Sequence, residues 1–445
     1  MFMPKRPKTL SCLISLRLYN NENVILSNDQ TKETLMTLAA VTDIRSTRVS
    51  DDISIRADLL RRAAAMVPAL RARAAEVDAL ARLPDATVAE LDDAGIFDMM
   101  VPKDAGGLQV SLRTYMEVVS EIGRGDGSAA WACALINVCN WMAAACLPDA
   151  ARAEVFGSGA KVRSAGVLSP RKAVVKRVAG GYLVEEGMWG FNSGVYHAQW
   201  DLLGIPLVDE AGNVIDQGMA LIPTSDLQFL NDWDTIALRG SGSTSVVVKD
   251  KFVPDSRIVR LSSILAGDYV ARFNDDEALY RMAFMPVAAI ILTFPALGIA
   301  RAAQEMFLDK LPGRGIQYTW YEKQSEATVT HLQAGEASAM IDAARLVVER
   351  CVDEIDAHAA AGTIPDALTR ARIRRDTGYA SKMMWDAVDI LASASGGSLA
   401  GTRNPFNRVW RDARVANLHG IVCTATNLEL YGRMLCGQAP NTPLV

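Results

Sequence analysis

Histidine occurs four times in 445 residues, at 197, 331, 358 and 419, and no metal-ligand spacing joins the four. The last lies in Phe406–Gly420, FNRVWRDARVANLHG, with six residues between Arg411-Asp412 and His419. Written on a helix, His419 shares its face with Val415, Val422 and Cys423. An imidazole there is either a satisfied core group or a neutral-pH base or hydrogen-bond donor facing a ligand, since its unperturbed pKa is about 6.5. Three other stretches carry polar chemistry. Trp189-Gly-Phe-Asn-Ser-Gly194, followed by Tyr196, His197 and Trp200, can line a flat aromatic ligand, or can be a twisted strand with a glycine bulge. Leu238-Arg-Gly-Ser-Gly-Ser-Thr244 offers bare amides and hydroxyls to a polar ligand edge, or forms a plain hairpin turn. Ser393-Ala-Ser-Gly-Gly-Ser398 can hold phosphate on free amides, or simply end a helix.

Helices must deliver most of these groups. Residues 51–161 read as a helical domain, with RADLLRRAAAMVPALRARAAEVDALARLP and the apolar AAWACALINVCNWMAAACLP as its clearest helices. Residues 162–265 are β-branched, aromatic and broken by Gly, Asn and Pro turns, which predicts an antiparallel sheet or small barrel. Residues 270–445 return to long helical patterns and predict a bundle. Residues 1–50 read as a loosely attached or disordered extension. Gly123-Arg-Gly-Asp-Gly joins helix to helix rather than strand to helix, so it is no dinucleotide loop. Walker A, HExxH and GxSxG motifs do not occur.

Composition narrows the class. Half the residues are apolar, 22% are charged and the net charge is −5, with no basic block, which argues against a nucleic-acid partner. Two apolar runs approach membrane-span length, but Asn137 and Asn140 interrupt one and Pro286 and Pro295 the other, so both are expected inside the core. Seven cysteines show no CxxC spacing, and Cys133, Cys139 and Cys146 in an apolar run read as buried thiols. A reducing, cytoplasmic setting is the expectation.

Taken together, five segments resemble one family. LARLPDATVAELDDAGIFDMMVPKDAGG, GMWGFNSGVYHAQWDLL, LRGSGSTSVVVKDKFVPDSRI, PALGIARAAQEMF and GGSLAGTRNPFNRVWRDARVANLHG are similar to successive parts of the acyl-CoA dehydrogenase fold. That resemblance implies a mainly α protein with a central antiparallel β domain: N-terminal helical domain, β-barrel-like domain and C-terminal four-helix bundle. Where dehydrogenases of this fold carry a catalytic Glu-Gly-Thr step, this chain has Leu418-His419-Gly420. The spacing from Arg411-Asp412 to His419 and the strand-end Ser193-Gly194 resemble instead the oxygenase components of two-component flavin-dependent aromatic hydroxylases.

The resemblance implies reduced FMN or FAD as cofactor, dioxygen as co-substrate and a flavin C4a-hydroperoxide that hydroxylates a phenol or related aromatic. It further implies a separate NAD(P)H-dependent flavin reductase and a homotetramer. Alternatives on the same fold are an N- or S-oxygenase, or an acyl-CoA dehydrogenase-type FAD enzyme. By resemblance His419 and Ser193 are catalytic, with His419 preferred as base and hydrogen-bond donation to the flavin adduct as the subordinate role. Cofactor contacts are expected from Trp189 (flanking the ring), Phe191, Asn192, Ser193 (near flavin N5), Ser169, Arg239, Ser241, Ser243, Gly396 and Gly397. Substrate contacts are expected from Trp131, Asn137, Asn140, His197 and His419, with Asn137 and Asn140 in the region where relatives often show a second histidine. Arg314-Gly-Ile-Gln-Tyr318 echoes the fold's Arg-x-Gln-Phe-Gly clamp for the adenine half of FAD.

Overall fold

The computed structural model describes residues 53–157, 161–269 and 277–445, so the expected extension at 1–50 lies outside the described residues. The N-terminal helices are α1 (53–72), α2 (Ala74–Leu80), α3 (Asp85–Asp93), α4 (Leu112–Gly125), α5 (Gly127–Ala145) and α6 (Asp149–Phe156). Side chains start two of them: Ser111 accepts from Thr114 N at the head of α4, and Asp126 from Ala129 N at the head of α5. Gly123 and Gly125 of the discarded glycine motif sit in the last turn of α4. Gly123 is there for packing: a Cβ on it would stand 3.0 Å from Gly298 Cα of a bundle helix. Two small residues let those backbones cross closely.

Among the described residues eight strands follow: β1 (Ser164–Val167), β2 (Lys172–Val178), β3 (Gly181–Trp189), β4 (Trp200–Val208), β5 (Val214–Pro223), β6 (Gln228–Phe229), β7 (Val246–Pro254) and β8 (Ile258–Arg260). They form two four-stranded sheets, ordered β1-β4-β5-β8 and β2-β3-β7-β6. One pairing departs from the antiparallel expectation. Strand β1 runs parallel to β4, with Ser164 opposite Trp200, because the chain leaves β1 for the β2–β3 hairpin of the other sheet and returns in the same direction. Val184, Trp189, Leu203, Ile205, Val246 and Val248 are among the side chains of a separate apolar core that includes residues of both sheets.

The C-terminal helices are α7 (Leu261–Ala266), α8 (Phe284–Ile290), α9 (Thr293–Lys310), α10 (Thr328–Ala360), α11 (Ala367–Ala394), α12 (Pro405–Ala416) and α13 (Thr424–Leu435). Helix α7 falls inside the span expected to be sheet. The long apolar pattern through 278–310 is two helices rather than one. The break leaves Pro295 in the first turn of α9, where its missing N–H has no intrahelical partner to lose. Helices α9, α10, α11 and α13 form the bundle, with α4 packed on α9. Residues 55–445 make one compact unit. The segments Gly127–Ala145 and Phe284–Gly313 are long and apolar enough to cross a membrane, yet 94% and 83% of the apolar 18-residue stretch in each is buried within the protein.

Candidate functional site

The end of β3 and the start of β7 build the polar heart of the site. In the ladder Trp189 stands opposite Val246. Beyond it the chain kinks, with Phe191 at φ 61° and Gly194 at φ 77°. It stays tied to the turn before β7, because Asn192 N donates to Thr244 O (3.4 Å) and Gly194 N to Ser241 O (2.8 Å). Ser193, Ser243 and Ser241 are thereby stacked side by side and buried. Their hydroxyls form a chain: Ser193 Oγ to Ser243 Oγ 2.7 Å, Ser243 Oγ to Ser241 Oγ 2.7 Å, and Ser241 Oγ donating to Leu238 O at 2.7 Å.

Trp131 of α5 closes the other side. Its Nε1 donates to Ser193 Oγ at 3.2 Å, and its ring centroid lies 5.8 Å from that of His419, tilted by 55°. Three parts of the chain that are remote in sequence therefore meet. His419 is not on a helix, as its apolar spacing suggested; α12 ends at Ala416 and His419 caps the short turn Gly420–Val422. Its Nδ1 accepts from Ile421 N at 3.2 Å. The ring is half-buried, and burial pushes its pKa down to about 4. With Nδ1 accepting and the ring neutral, the hydrogen sits on Nε2.

The expected cofactor and substrate contacts divide. Trp189 does not flank a surface ligand. Its fully buried ring sits in the β-domain core, and its Nε1 donates to Gly204 O at 2.8 Å. Gly187 makes the room, since a Cβ there would lie 2.1 Å from the indole. Asn137 and Asn140 do not present amides to a substrate. Asn137 bonds Met100 N, Ile96 O and Cys133 O, and Asn140 bonds Phe97 O, Val162 O and Ser164 N, all within 3.2 Å. Each amide is spent on backbone groups that would otherwise be orphaned.

His197 lies among Arg163, Arg82 and Asp85, with its pKa lowered to about 4 by burial and then by the two arginines. Arg239 is committed to Asp78 O, Asp234 and Thr235 O. Asn192 is buried and donates to Asp201 Oδ2 at 2.5 Å. Phe191 is 67% exposed, with its ring 5.9 Å from Trp233 and Arg171 over its face. Ser169 is exposed after β1. Gly396 and Gly397 are exposed at the end of α11, where Arg314 donates to Ser395 O and a Cβ on Gly396 would stand 3.3 Å from the guanidinium.

Sequence reasoning missed the frame behind these groups. Asp412 Oδ1 accepts from Leu238 N at 2.8 Å and so grips the loop that carries the serines. Burial pushes its pKa up to about 7. Arg408, four residues earlier, pairs with Asp126 at the head of α5. The signal was the spacing Arg408 to Asp412 on one helix face, behind the more obvious Arg411-Asp412. The donor set fits a flavin ring. It is a neutral imidazole beside a neutral chain of hydroxyls backed by an indole N–H, suited to a ring edge of alternating N–H and carbonyl groups.

Comparison with known proteins bears on the fold and the family. Residues 56–156 match the acyl-CoA dehydrogenase N-terminal domain and residues 290–423 the acyl-CoA dehydrogenase C-terminal domain. HsaA of Mycobacterium tuberculosis, a flavin-dependent monooxygenase oxygenase subunit, is 31% identical over 382 residues, 85% of this chain and 95% of that one. The oxygenase component of p-hydroxyphenylacetate 3-hydroxylase from Acinetobacter baumannii is 25% identical over 388 residues, 87% of this chain and 91% of that one. The solved structure of XiaF from Streptomyces sp., in complex with FADH2 and glycerol, superposes with a TM-score of 0.83 at 30% identity, covering 90% of this chain and 99% of that one. The chain therefore belongs to the flavin-dependent monooxygenases, as an oxygenase built on the acyl-CoA dehydrogenase fold.

Proposed function

We propose that this oxygenase takes reduced FMN or FAD from a separate NAD(P)H-dependent flavin reductase and uses dioxygen to hydroxylate a small phenolic or other aromatic substrate. The observation that carries the reading is Trp131, whose indole is bonded to the Ser193 hydroxyl and packed near the His419 imidazole. Bound reduced flavin supplies the electrons that let dioxygen place one oxygen atom on an electron-rich ring carbon. The chain's own residues do the rest. Buried apolar side chains of α5 keep water away from the site. Ser193 would hold the N5 edge of the flavin. His419 donates a hydrogen bond from Nε2, since Nδ1 is taken by Ile421 N–H. Acting as a base at Nε2 would first need a change of tautomer, so the donor role replaces the base role preferred from the sequence.

Gly396 and Gly397, beside Arg314, would serve the phosphate or ribityl end of the flavin across a subunit contact. A homotetramer, or at least a dimer, accounts for Tyr318 and Trp320, which are fully exposed, and for Leu332 and Leu346 on α10, which are 69% and 60% exposed. A cytoplasmic location suits a protein fed by NAD(P)H, and it agrees with the four buried free thiols Cys133, Cys139, Cys146 and Cys351.

The test supplies reduced FMN, oxygen and a panel of phenols, scored by mass gain of one oxygen. His419→Ala should cut hydroxylated product per flavin oxidised by about 10- to 100-fold, the effect of one hydrogen bond to developing charge. Reduced flavin should still bind. Unchanged coupling in that variant removes His419 from the reaction.

A further inference from the structure

The hydroxyl chain has a direction, and hydrogen counting sets it. A serine hydroxyl has one hydrogen to give and two lone pairs. Leu238 O can only accept, so Ser241 spends its hydrogen there, at 2.7 Å. The 2.7 Å contact between Ser241 and Ser243 must then use the hydrogen of Ser243. The 2.7 Å contact between Ser243 and Ser193 must in turn use the hydrogen of Ser193. Trp131 Nε1 fills one lone pair of Ser193 at 3.2 Å. What Ser193 has left is one lone pair and no hydrogen.

The carbonyl that starts this sequence is itself fixed. Leu238 has φ 49°, a left-handed conformation a leucine rarely adopts, and its N–H is held by Asp412 Oδ1 at 2.8 Å. The polarity at Ser193 is thus imposed from the far end of the chain, two hydroxyls away.

We propose that Ser241 and Ser243 are positioning residues that turn the Ser193 hydrogen away from the flavin, so that Ser193 meets N5 only as an acceptor and the site selects reduced over oxidised flavin. The inference rests on the reading of this site as a reduced-flavin site. Reduced flavin carries a hydrogen on N5 and can donate to the free lone pair. Oxidised flavin carries a bare lone pair on N5, and two lone pairs face each other. A chain so wired takes up the form that a reductase delivers and lets go of the spent form.

The experiment is an equilibrium titration of the full-length protein with oxidised FMN in air and with reduced FMN under anaerobic conditions, read by fluorescence or calorimetry. The quantity of interest is the ratio of the two dissociation constants. Wild type should bind reduced FMN more tightly. In Ser243→Ala the Ser193 hydrogen is released and can turn to a bare N5, so the preference should shrink by about 3- to 10-fold, one neutral hydrogen bond. Ser241→Ala should move the ratio the same way by less, because Ser243 then points either way. Ser243→Thr, which keeps the hydroxyl, should restore it. Simple loosening of the loop would weaken both forms together. An unchanged ratio in Ser243→Ala, or in Ser241→Ala if the first variant does not fold, overturns the wiring. Wild type that ignores reduced FMN altogether overturns the flavin site itself, a separate result.

Discussion

Helix α5 carries two kinds of buried polar group, and they behave in opposite ways. Near its start Trp131 gives its one hydrogen to Ser193, whose hydroxyl keeps a lone pair unspent. About two turns later Asn137 and Asn140 place every amide hydrogen and one oxygen lone pair each on backbone groups. Both regions are buried, and both read in sequence as polar residues in an apolar helix. The saturated region holds the loop 96–100 and strand β1 against α5; the region with valence to spare is where a ligand has something to bond. Residual hydrogen-bonding capacity, more than burial or residue type, separates the site from its scaffold.

The strongest way to break this contrast is Asn140→Ala. It leaves Phe97 O, Val162 O and Ser164 N without their partner, which should cost about 3 kcal/mol of stability by chemical denaturation. Reduced-flavin affinity of the folded protein should stay as it was. A mild loss of stability together with lost flavin binding would move Asn140 into the site.

Asp201 and Asn192 form an intermediate case, paired to each other yet each with a buried oxygen that has no partner. Burial raises the Asp201 pKa to about 7, well above the ordinary carboxylate value. The folded protein therefore holds a proton that the unfolded chain releases at lower pH. The stability this contributes is full below about pH 4 and is lost as pH rises through about 7. Asp201→Asn should flatten that part of the stability profile, measured by thermal melts from pH 4 to 8. Asp412, raised likewise to about 7, leaves a residual slope of the same sign. An unaltered profile in the variant would mean Asp201 is ionised in the folded protein.

Trp131→Phe should give the smallest effect. Ser193 keeps its bond to Ser243, so stability should fall by no more than about 1 kcal/mol and reduced-flavin affinity by about threefold. A collapse as large as that of Asn140→Ala would place Trp131 with the scaffold.

Much of the arrangement was legible from residue patterns. The order helices, strands, helices follows from the change of apolar period near residue 162 and its return before α8. His419 stands out as a rare imidazole on an apolar stripe, whereas Ser193 and Trp131 are expected at the site only through the family resemblance. Trp189 misled because its chemistry suits a flavin, although its strand parity with Gly187, one pleat away, pointed between the sheets. Apolar spacing puts His419 on a helical face because periodicity carries no sign of a break that a histidine can make by capping the next turn.

Local sequence by itself decided the order of helical and strand regions and which side chains are apolar enough to be buried, because period and propensity act within a few residues. Tertiary structure alone decided which hydroxyl ends with a lone pair to spare and which amides end with none. Those outcomes depend on partners from other parts of the chain, as with Asn140 and Val162, Ser193 and Ser243 or Leu238 and Asp412, and hydrogen-bond valence is settled only when all of them are in place.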